Sequence, residues 1–354
     1  MLIARAPMRI SLAGGGTDLP AYFHEHGGLV VSTSIDRYFY AFVRLSSRES
    51  VQITSSDYRM LFRQRRGEPI LWDGDLALPR AFLDHFGIDA GLSIFLASEV
   101  PPGTGLGSSS AAAVTLAKAL SGLVGISQTR AQLAQLAAYI EIEKLGFPIG
   151  YQDQYAAAFG GLNVISFARD GIVVEPLGLP PAVEQTLERR LMLFFTGLSR
   201  SSASILREQR AASERREQAV IASLHRIRES AEQTLTLLRS GDLDSYGCLL
   251  DRSWQAKKQL AEGVSNPRID EWYELARANG AAGGKITGAG GGGFLLLYCQ
   301  EAFQEAVTAV LERRGLVRMD FALERGGAML LMDAMPHTRS FGRAVASGVG
   351  RVSA

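Results

Sequence analysis

The sequence predicts an α+β protein with two domains, and three observations support this prediction. The chain has 354 residues, about twice the size of a common single domain. Segments typical of strands and segments typical of helices alternate along it. The pattern loosens over residues 172–190, where three prolines occur close together. We therefore expect an N-terminal domain over 1–185, a C-terminal domain over 186–335 and a tail over 336–354.

In the first half, residues 1–55 have the pattern of strands interrupted by a glycine loop. The aromatic and β-branched segments Tyr38–Leu45 and Leu92–Ser98 are the clearest strand candidates. A second glycine loop follows, and the alanine-rich run 108–120 after it favours a helix. A further helix is expected over 127–145, because a glycine and a proline follow it directly.

In the second half, apolar strands are predicted over Leu191–Phe195 and Phe294–Cys299. Between them, a long polar stretch carries apolar residues at helical spacing, which predicts an amphipathic helix. Its buried stripe is expected to be Val220, Leu224, Ile227, Ala231, Leu235 and Leu238. A helix over 301–314 and strands near 315–323 and 328–333 complete this domain.

Charge and cysteine content exclude several classes of protein. There are 37 Lys and Arg against 36 Asp and Glu, and this balance argues against nucleic-acid or anionic-membrane partners. No apolar run approaches the roughly 18–20 residues of a membrane span, and arginines interrupt the apolar N-terminal stretch. Cys248 and Cys299 have no metal-type spacing, so we expect buried free thiols rather than a disulfide. A cytoplasmic protein is indicated, and a homo-oligomer is compatible with the sequence.

Glycine is abundant, at 38 residues, and it is dense in three loops. These loops are 14–16, 103–107 and 283–293, and each adjoins a predicted strand. Dense glycine marks backbone that approaches a ligand or another segment closely. The third loop has the pattern of a hinge or of a wall around a ligand, because four consecutive glycines would weaken a plain strand.

The second loop has the pattern of an anion site, because a strand enters a glycine turn and a serine-rich helix leaves it. Its residues are Gly103, Thr104, Gly105, Leu106, Gly107, Ser108, Ser109 and Ser110. The glycines let successive N–H groups face one ligand, which favours phosphates, and a serine hydroxyl could also coordinate Mg²⁺. A tight turn with a helix cap and no ligand is the alternative. The spacing matches neither a P-loop nor a dinucleotide-binding motif.

Several charged residues near the glycine loops have the chemistry that a phosphotransferase needs. Glu141 and Glu143 end a predicted helix, and Asp153 follows a turn rich in glycine and proline. A nucleotide site requires a carboxylate for Mg²⁺ and a base or orienting group for the acceptor hydroxyl. Taken singly, each carboxylate is better explained as a solvated helix end or as an Asp in a turn. Arg9 and Asp18 flank the first loop, where an ordinary salt bridge and a helix cap are the alternatives.

Three stretches of the chain resemble, in order, the three motifs of the GHMP kinase superfamily. They are Ala6–Asp18, Pro101–Ala111 and Lys285–Gly293. Together they are highly specific, although each alone is weak. The resemblance covers roughly residues 4–333 and implies two α+β domains with the active site in the cleft between them.

Within the superfamily, the chain is most similar to the D-glycero-D-manno-heptose 7-phosphate kinases. The similar stretches are Ala13–Pro20, Gly150–Gly161 and Thr196–Arg200. Galactokinases resemble it less, because they carry an acidic residue where this chain has Gly15. The C-terminal half of bifunctional fucokinases is also a close relative, so the sugar is not decided by the resemblance.

The resemblance implies roles for the matching residues. The loop Gly103–Ser110 would bind the ATP phosphates. Ser109 and Glu141 would hold Mg²⁺, with Glu143 as the competitor if the register slips. Asp153 would be the catalytic carboxylate and Arg9 the cation near the transferred phosphate. The implied substrate-binding residues are Gly16, Thr17, Asp18, Asp153, Arg200, Gly288 and Gly290.

The expected activity is ATP-dependent phosphorylation of the anomeric C1 hydroxyl of D-glycero-D-manno-heptose 7-phosphate. The product would be the 1,7-bisphosphate, a precursor for nucleotide-heptose and surface polysaccharide. Arg200 and the arginines after it are the candidates for binding the 7-phosphate. Two alternatives remain: a 1-kinase for an unphosphorylated sugar such as L-fucose, mannose or galactose, and a catalytically silent sugar and ATP sensor.

Overall fold

The computed structural model describes residues 1–57, 59–65, 68, 74, 76–198, 207–208, 211, 215, 217–259, 261 and 263–334. The predicted tail and Arg200 lie outside these residues. Two β-sheets and the helices packed on them form the described chain, which confirms the α+β class.

The strands are numbered in chain order. They are β1 (Leu2–Ala13), β2 (Gly28–Leu45), β3 (Ser50–Ser55), β4 (Met60–Arg65), β5 (Leu92–Ser98), β6 (Leu162–Ala168), β7 (Gly171–Pro176), β8 (Leu191–Phe195), β9 (Ala281–Ile286), β10 (Phe294–Cys299), β11 (Val317–Met319) and β12 (Met329–Asp333). The larger sheet has eight strands, six of them in the order β12-β1-β2-β5-β3-β4. β6 pairs with the first half of β2, and β7 pairs with the other edge of β6. Only β3 and β5 are parallel neighbours in this sheet.

The helices are α1 (Pro20–His26), α2 (Ala77–His85), α3 (Ser108–Leu123), α4 (Arg130–Ala138), α5 (Gln152–Phe159), α6 (Pro181–Arg190), α7 (Gln218–Ser240), α8 (Leu243–Lys257), α9 (Pro267–Ala278) and α10 (Gln304–Glu312). The predicted helix over 127–145 is divided. It is α-helical as α4 and then widens into a π-helix over Tyr139–Lys144. Such widened turns are frequent at functional sites, and this one carries Glu141.

The smaller sheet is antiparallel throughout, in the order β11-β8-β10-β9. Side chains of β8 and β10 alternate between its faces, as the period of two in a strand requires. One face packs with the core of the large sheet, through Leu191, Leu193, Phe294, Leu296 and Tyr298. The other face forms a separate core with α9 and α10, through Met192, Phe194, Leu295, Leu297 and Cys299. The two halves of the chain therefore share one continuous apolar layer.

The last strand returns to the first sheet. β12 pairs antiparallel with β1, so that Leu2 lies opposite Asp333 and Arg5 opposite Met329. The predicted second domain, 186–335, includes this strand, and its position next to β1 depends on pairing that the sequence pattern does not record. Both halves of the chain therefore contribute to the larger sheet.

Several predicted elements match the structure at their ends. The strands Leu92–Ser98, Leu191–Phe195 and Phe294–Cys299 are β5, β8 and β10. The apolar stripe predicted between β8 and β10 is buried or partly buried along α7. Both cysteines are free, but Cys248 is exposed rather than buried. Among the helices that the structure describes, none has the length and apolarity to cross a bilayer.

Candidate active site

The predicted phosphate loop joins β5 to α3. Gly103, Gly105 and Gly107 have φ values of 73°, 80° and 75°, in the left-handed region that glycine adopts without steric cost. Helix α3 begins at the next residue, and the first N–H groups of a helix have no partner within it. The loop glycines and serines 108–110 line a common cavity. This arrangement has the geometry of known anion sites at helix N-termini.

The third glycine loop packs directly on the phosphate loop. A Cβ on Gly105 would lie 2.5 Å from the carbonyl oxygen of Thr287, and a Cβ on Gly288 would lie 2.6 Å from the Cα of Gly105. The two loops are also joined by the Phe294 N–H, which donates to the Thr104 carbonyl over 3.2 Å. The third loop is thus a wall beside the phosphate loop, as its glycine density predicts.

Arg9 lies on β1 and connects the phosphate loop to the candidate catalytic carboxylate. Its Nε and Nη2 donate to the two carboxylate oxygens of Asp153 over 2.7 and 2.6 Å. Its Nη1 donates to the Gly105 carbonyl over 2.6 Å. Arg9 is 4% exposed and the Asp153 side chain 24% exposed, so the carboxylate is at the cavity edge of the pair. A bidentate pair of this kind fixes both groups in one orientation.

Asp18 is buried beside Asp153 and is held by donors on its own loop and on α5. Gly16 N–H and the Gln152 amide Nε2 donate to its Oδ1 over 2.9 and 3.1 Å. The Gln152 backbone N–H donates to its Oδ2 over 3.1 Å. Burial, and then the charge of Asp153, raise the pKa of Asp18. At Gly150 a Cβ would lie 1.9 Å from Asp18 Oδ2, so only glycine leaves room for this carboxylate.

Ser109 and Glu141 meet behind the phosphate loop. The Ser109 hydroxyl donates to Glu141 Oε1 over 2.6 Å, and Gln154 Nε2 donates to Oε2 over 2.7 Å. Glu141 is fully buried, and burial raises its pKa to about 7. Glu143 is exposed on the other side of the π-helix. The geometry therefore selects Glu141 over Glu143 as the carboxylate beside the loop.

One cavity of about 180 Å³ collects most of the predicted site. The predicted residues that line it are Arg9, Gly16, Asp18, Gly103, Gly105, Gly107, Ser108, Ser109, Ser110, Asp153, Gly288 and Gly290. Four of the described predicted residues do not line it: Thr17, Thr104, Leu106 and Glu141, of which Glu141 reaches it only through Ser109. The Thr17 hydroxyl instead donates to the Gly14 carbonyl, and Thr104 and Leu106 are buried under the loop. Arg200, predicted to bind substrate, lies outside the described residues.

Known protein families match both halves of this arrangement. The GHMP kinases N terminal domain matches residues 76–161, and the GHMP kinases C terminal domain matches residues 234–315. The chain is also 30% identical to D-glycero-alpha-D-manno-heptose 7-phosphate kinase of Campylobacter jejuni subsp. jejuni serotype O:2. That alignment covers 91% of this chain and 96% of the relative. The chain belongs to the GHMP kinase family. It is therefore an ATP-dependent kinase, as the three motifs predict.

Two further relatives of this GHMP kinase are informative. A crystal structure named as a D-glycero-D-manno-heptose 1-phosphate kinase from Bacteroides thetaiotaomicron superposes with a TM-score of 0.80 at 26% identity. It covers 95% of this chain and all of that one. The bifunctional fucokinase/GDP-fucose pyrophosphorylase of Arabidopsis thaliana is 26% identical over 84% of this chain, which spans 30% of that longer protein.

Some lining residues of the GHMP kinase cavity have no predicted role. Lys257, Lys285, Ser11 and Gln152 all face it. Lys285 lies in the third motif, and Lys257 is followed directly by Lys258. Neither sequence context by itself predicts a lysine in the wall of a cavity. Burial and the charge of Arg9 lower the pKa of Lys257 to about 8. The Lys285 pKa is lowered further, by burial and by Lys257.

A second cavity, of about 130 Å³, opens on the other side of the kinase's phosphate loop. It shares Ser108 and Ser109 with the first cavity and is otherwise mainly apolar, with Phe39, Leu96 and Phe147 in its wall. An apolar pocket that adjoins a phosphate site suits the base of a nucleotide.

Proposed function

We propose that this kinase transfers the γ-phosphoryl group of ATP to the anomeric C1 hydroxyl of D-glycero-D-manno-heptose 7-phosphate. The product is the 1,7-bisphosphate, a precursor of nucleotide-heptose for surface polysaccharide. The observation that carries the proposal is the bidentate pair of Arg9 and Asp153. Arg9 also donates to the Gly105 carbonyl of the phosphate loop. A carboxylate is thereby held where an acceptor hydroxyl would meet a phosphate bound by the loop.

Each residue of the pair has a distinct part in the proposed reaction. Asp153 accepts or orients the proton of the C1 hydroxyl, which is more acidic than an ordinary alcohol. Arg9 offsets negative charge on the transferring group, because its guanidinium is close to both Asp153 and the loop. The loop N–H groups fix the path of the phosphate. Such positioning and electrostatic stabilisation supply most of the catalysis in phosphoryl transfer.

Mg²⁺ fits the pair formed by Ser109 and Glu141. Mg²⁺ is commonly bound by one or two carboxylates, with phosphate oxygens and water completing its shell. Burial raises the pKa of Glu141, and a nearby cation would stabilise its ionised form. When bound there, Mg²⁺ would neutralise charge on the ATP phosphates. The chain's own contribution is to hold Ser109 and Glu141 in contact beside the loop.

The sugar assignment is supported by Asp18 and by the relatives. Asp18 faces the cavity next to Asp153 and presents a carboxylate suited to sugar hydroxyls. Both the Campylobacter and Bacteroides relatives are named as heptose kinases, although the names differ in the phosphate that they mention. We propose that the reaction takes place in the cytoplasm with ATP and a sugar phosphate as small-molecule partners, and that it involves neither nucleic acid nor membrane.

A 1-kinase for an unphosphorylated sugar is the second candidate, and the similarity to the Arabidopsis fucokinase favours it. A coupled ATPase assay separates the two. The panel should contain heptose 7-phosphate, the same heptose without phosphate, L-fucose, mannose and galactose, each with ATP and MgCl₂. We expect turnover to be highest with heptose 7-phosphate and ³¹P NMR to show a new phosphate on C1. Highest kcat/KM with an unphosphorylated sugar would reject the heptose 7-phosphate assignment, and no turnover with any sugar would support a silent sensor.

A further inference from the structure

Two lysines from the C-terminal half face the sugar side of the cavity. Lys257 is the last residue of α8, and its Nζ donates to the carbonyls of Ile286, over 3.3 Å, and Gly288. Lys285 lies on β9 and is 7% exposed, and its Nζ donates to the Leu12 carbonyl over 3.1 Å. Both therefore hold their ammonium groups against backbone carbonyls rather than against side chains.

Neither lysine has a carboxylate within ion-pair distance among the residues that the structure describes. Arg9, by contrast, is neutralised by Asp153 in the same cavity. Burial of Lys285 and partial burial of Lys257 lower the pKa of both lysines, and the charge of Asp18 offsets only part of this effect at Lys257. Strongly shifted groups in a cleft are frequently there for a ligand. An anionic ligand would supply the missing charge.

The contact of Lys285 with the Leu12 carbonyl on β1 places its ammonium group relative to the reacting end of the cavity. Leu12 follows Arg9 by three residues of extended strand, about 10 Å. Arg9 marks the transferred phosphate, so Lys285 is placed toward the other end of an acceptor lying along β1. Ser11, between them in the sequence, lines the cavity and has a buried hydroxyl without a partner in the described structure. A seven-carbon sugar with a phosphate on its last carbon matches this span.

We infer that Lys257, Lys285 and the Ser11 hydroxyl form the subsite for a phosphate group that the acceptor itself carries. The inference rests on the proposed function and assigns the 7-phosphate to residues other than Arg200. The subsite adjoins the phosphate loop at Lys257, because the Gly288 carbonyl that Lys257 contacts packs against Gly105. Lys285 and Ser11 extend it along β1, away from the loop. It makes the enzyme selective for sugar phosphates over free sugars.

The test pairs two substrates with three variants of the full chain. The substrates are heptose 7-phosphate and the same heptose without phosphate, and the variants are Lys257→Met, Lys285→Met and Lys258→Met. Lys258 is the matched control, since it is the neighbour of Lys257, does not line the cavity and pairs with Asp270 over 3.3 Å. KM for ATP and Tm are measured for each variant.

We expect Lys257→Met and Lys285→Met to lower kcat/KM for heptose 7-phosphate by about 10- to 100-fold, the usual loss of a hydrogen bond to a charged group. For the free heptose the loss should stay below about 3-fold, with KM for ATP unchanged. Lys258→Met should behave as the wild type. Because a buried charge without a carboxylate partner is removed, Lys285→Met should not lower Tm.

Equal losses for the two substrates would overturn the inference, since the lysines would then act on the transferred phosphate. A fall in Tm with equal losses would assign them a structural role and overturn it as well. Failure of the proposed function has a different signature, because the wild type would then prefer another sugar. The same comparison would be made with that sugar and its terminal phosphate ester, and the selective loss is again the expected result.

Discussion

Arg9 and Asp153 are 144 positions apart in the sequence and form two parallel hydrogen bonds of 2.7 and 2.6 Å. Arg9 comes from the first strand and Asp153 from the first turn of α5. The third bond of the guanidinium, to Gly105, means that one side chain aligns the candidate base with the phosphate loop. A lysine at position 9 could keep the charge but not this fork.

Asp153→Asn should lower kcat by at least about 100-fold, because an amide neither accepts the hydroxyl proton as well nor pairs with Arg9 in the same way. Steady-state kinetics with saturating ATP and sugar measures the effect. Asp84→Asn is the control, since Asp84 pairs with Lys144 over 2.6 Å away from the cavity. If Asp153→Asn kept most of the wild-type rate, Asp153 would not be the base.

Glu141→Gln should raise the Mg²⁺ concentration that gives half-maximal activity by about 10-fold or more, because a carboxylate ligand is lost. A Mg²⁺ titration of the ATP-dependent rate checks this. The neighbouring Glu143→Gln is the matched control, since Glu143 is exposed and is two residues away. A similar shift in both variants would remove the assignment of Glu141 to the metal.

Gly150→Ala should weaken sugar binding without changing nucleotide binding. The new Cβ would lie 1.9 Å from Asp18 Oδ2, so the carboxylate or the loop must move. We expect KM for the sugar to rise about 10-fold, a common result of misplacing a binding group by about 1 Å. KM for ATP, measured on the same preparation, should stay within about 2-fold. An unchanged KM for the sugar would argue against a role for Asp18 in sugar binding.

His225 should make thermal stability depend on pH. It lies on α7, where the Tyr22 hydroxyl contacts its Nδ1 over 2.9 Å and the His26 ring is 4.8 Å away. Burial, His26 and Arg228 lower its pKa from 6.5. As the pH falls, His225 of the unfolded chain therefore binds a proton before His225 of the folded chain does. The contribution of neutral His225 to the free energy of unfolding is complete above pH 6.5 and is lost as the pH falls through the folded-state pKa.

Measured between pH 5 and 8, Tm of the wild type should fall at the acidic end more steeply than Tm of His225→Gln. His85, whose pKa is also lowered, is present in both proteins and contributes equally to each curve. Parallel curves would show that His225 has no part in the pH dependence.

Much of the site could be predicted from the sequence because its backbone requirements are local. The glycines of the 103–107 loop predict a tight loop before a helix, and the structure has it, with positive φ at Gly103, Gly105 and Gly107 and with α3 beginning at Ser108. The same holds for β5, β8 and β10, whose apolar or alternating residues specify short buried strands. The three ordered motifs also predict the GHMP kinase family, which the comparisons confirm.

Other features could not be predicted, because they depend on segments that meet only in the folded chain. The choice between Glu141 and Glu143 follows from the π-helix, which turns one carboxylate toward Ser109 and leaves the other exposed. The membership of β12 in the larger sheet depends on its pairing with β1, which is more than 300 residues away in the sequence. The resemblance predicts Thr17 as a substrate-binding residue beside Asp18, but its hydroxyl forms hydrogen bonds with the backbone carbonyls of Gly14 and Leu29.

The sequence by itself determined which segments carry dense glycine and which family the chain belongs to, since backbone freedom and side-chain chemistry belong to each residue. Only the tertiary structure decided which charges are neutralised. Arg9 is compensated by Asp153, whereas the partly buried Lys257 and the buried Lys285 have no carboxylate within ion-pair distance in the described chain. Desolvation and charge pairing depend on what surrounds a group in space, and that is set by folding.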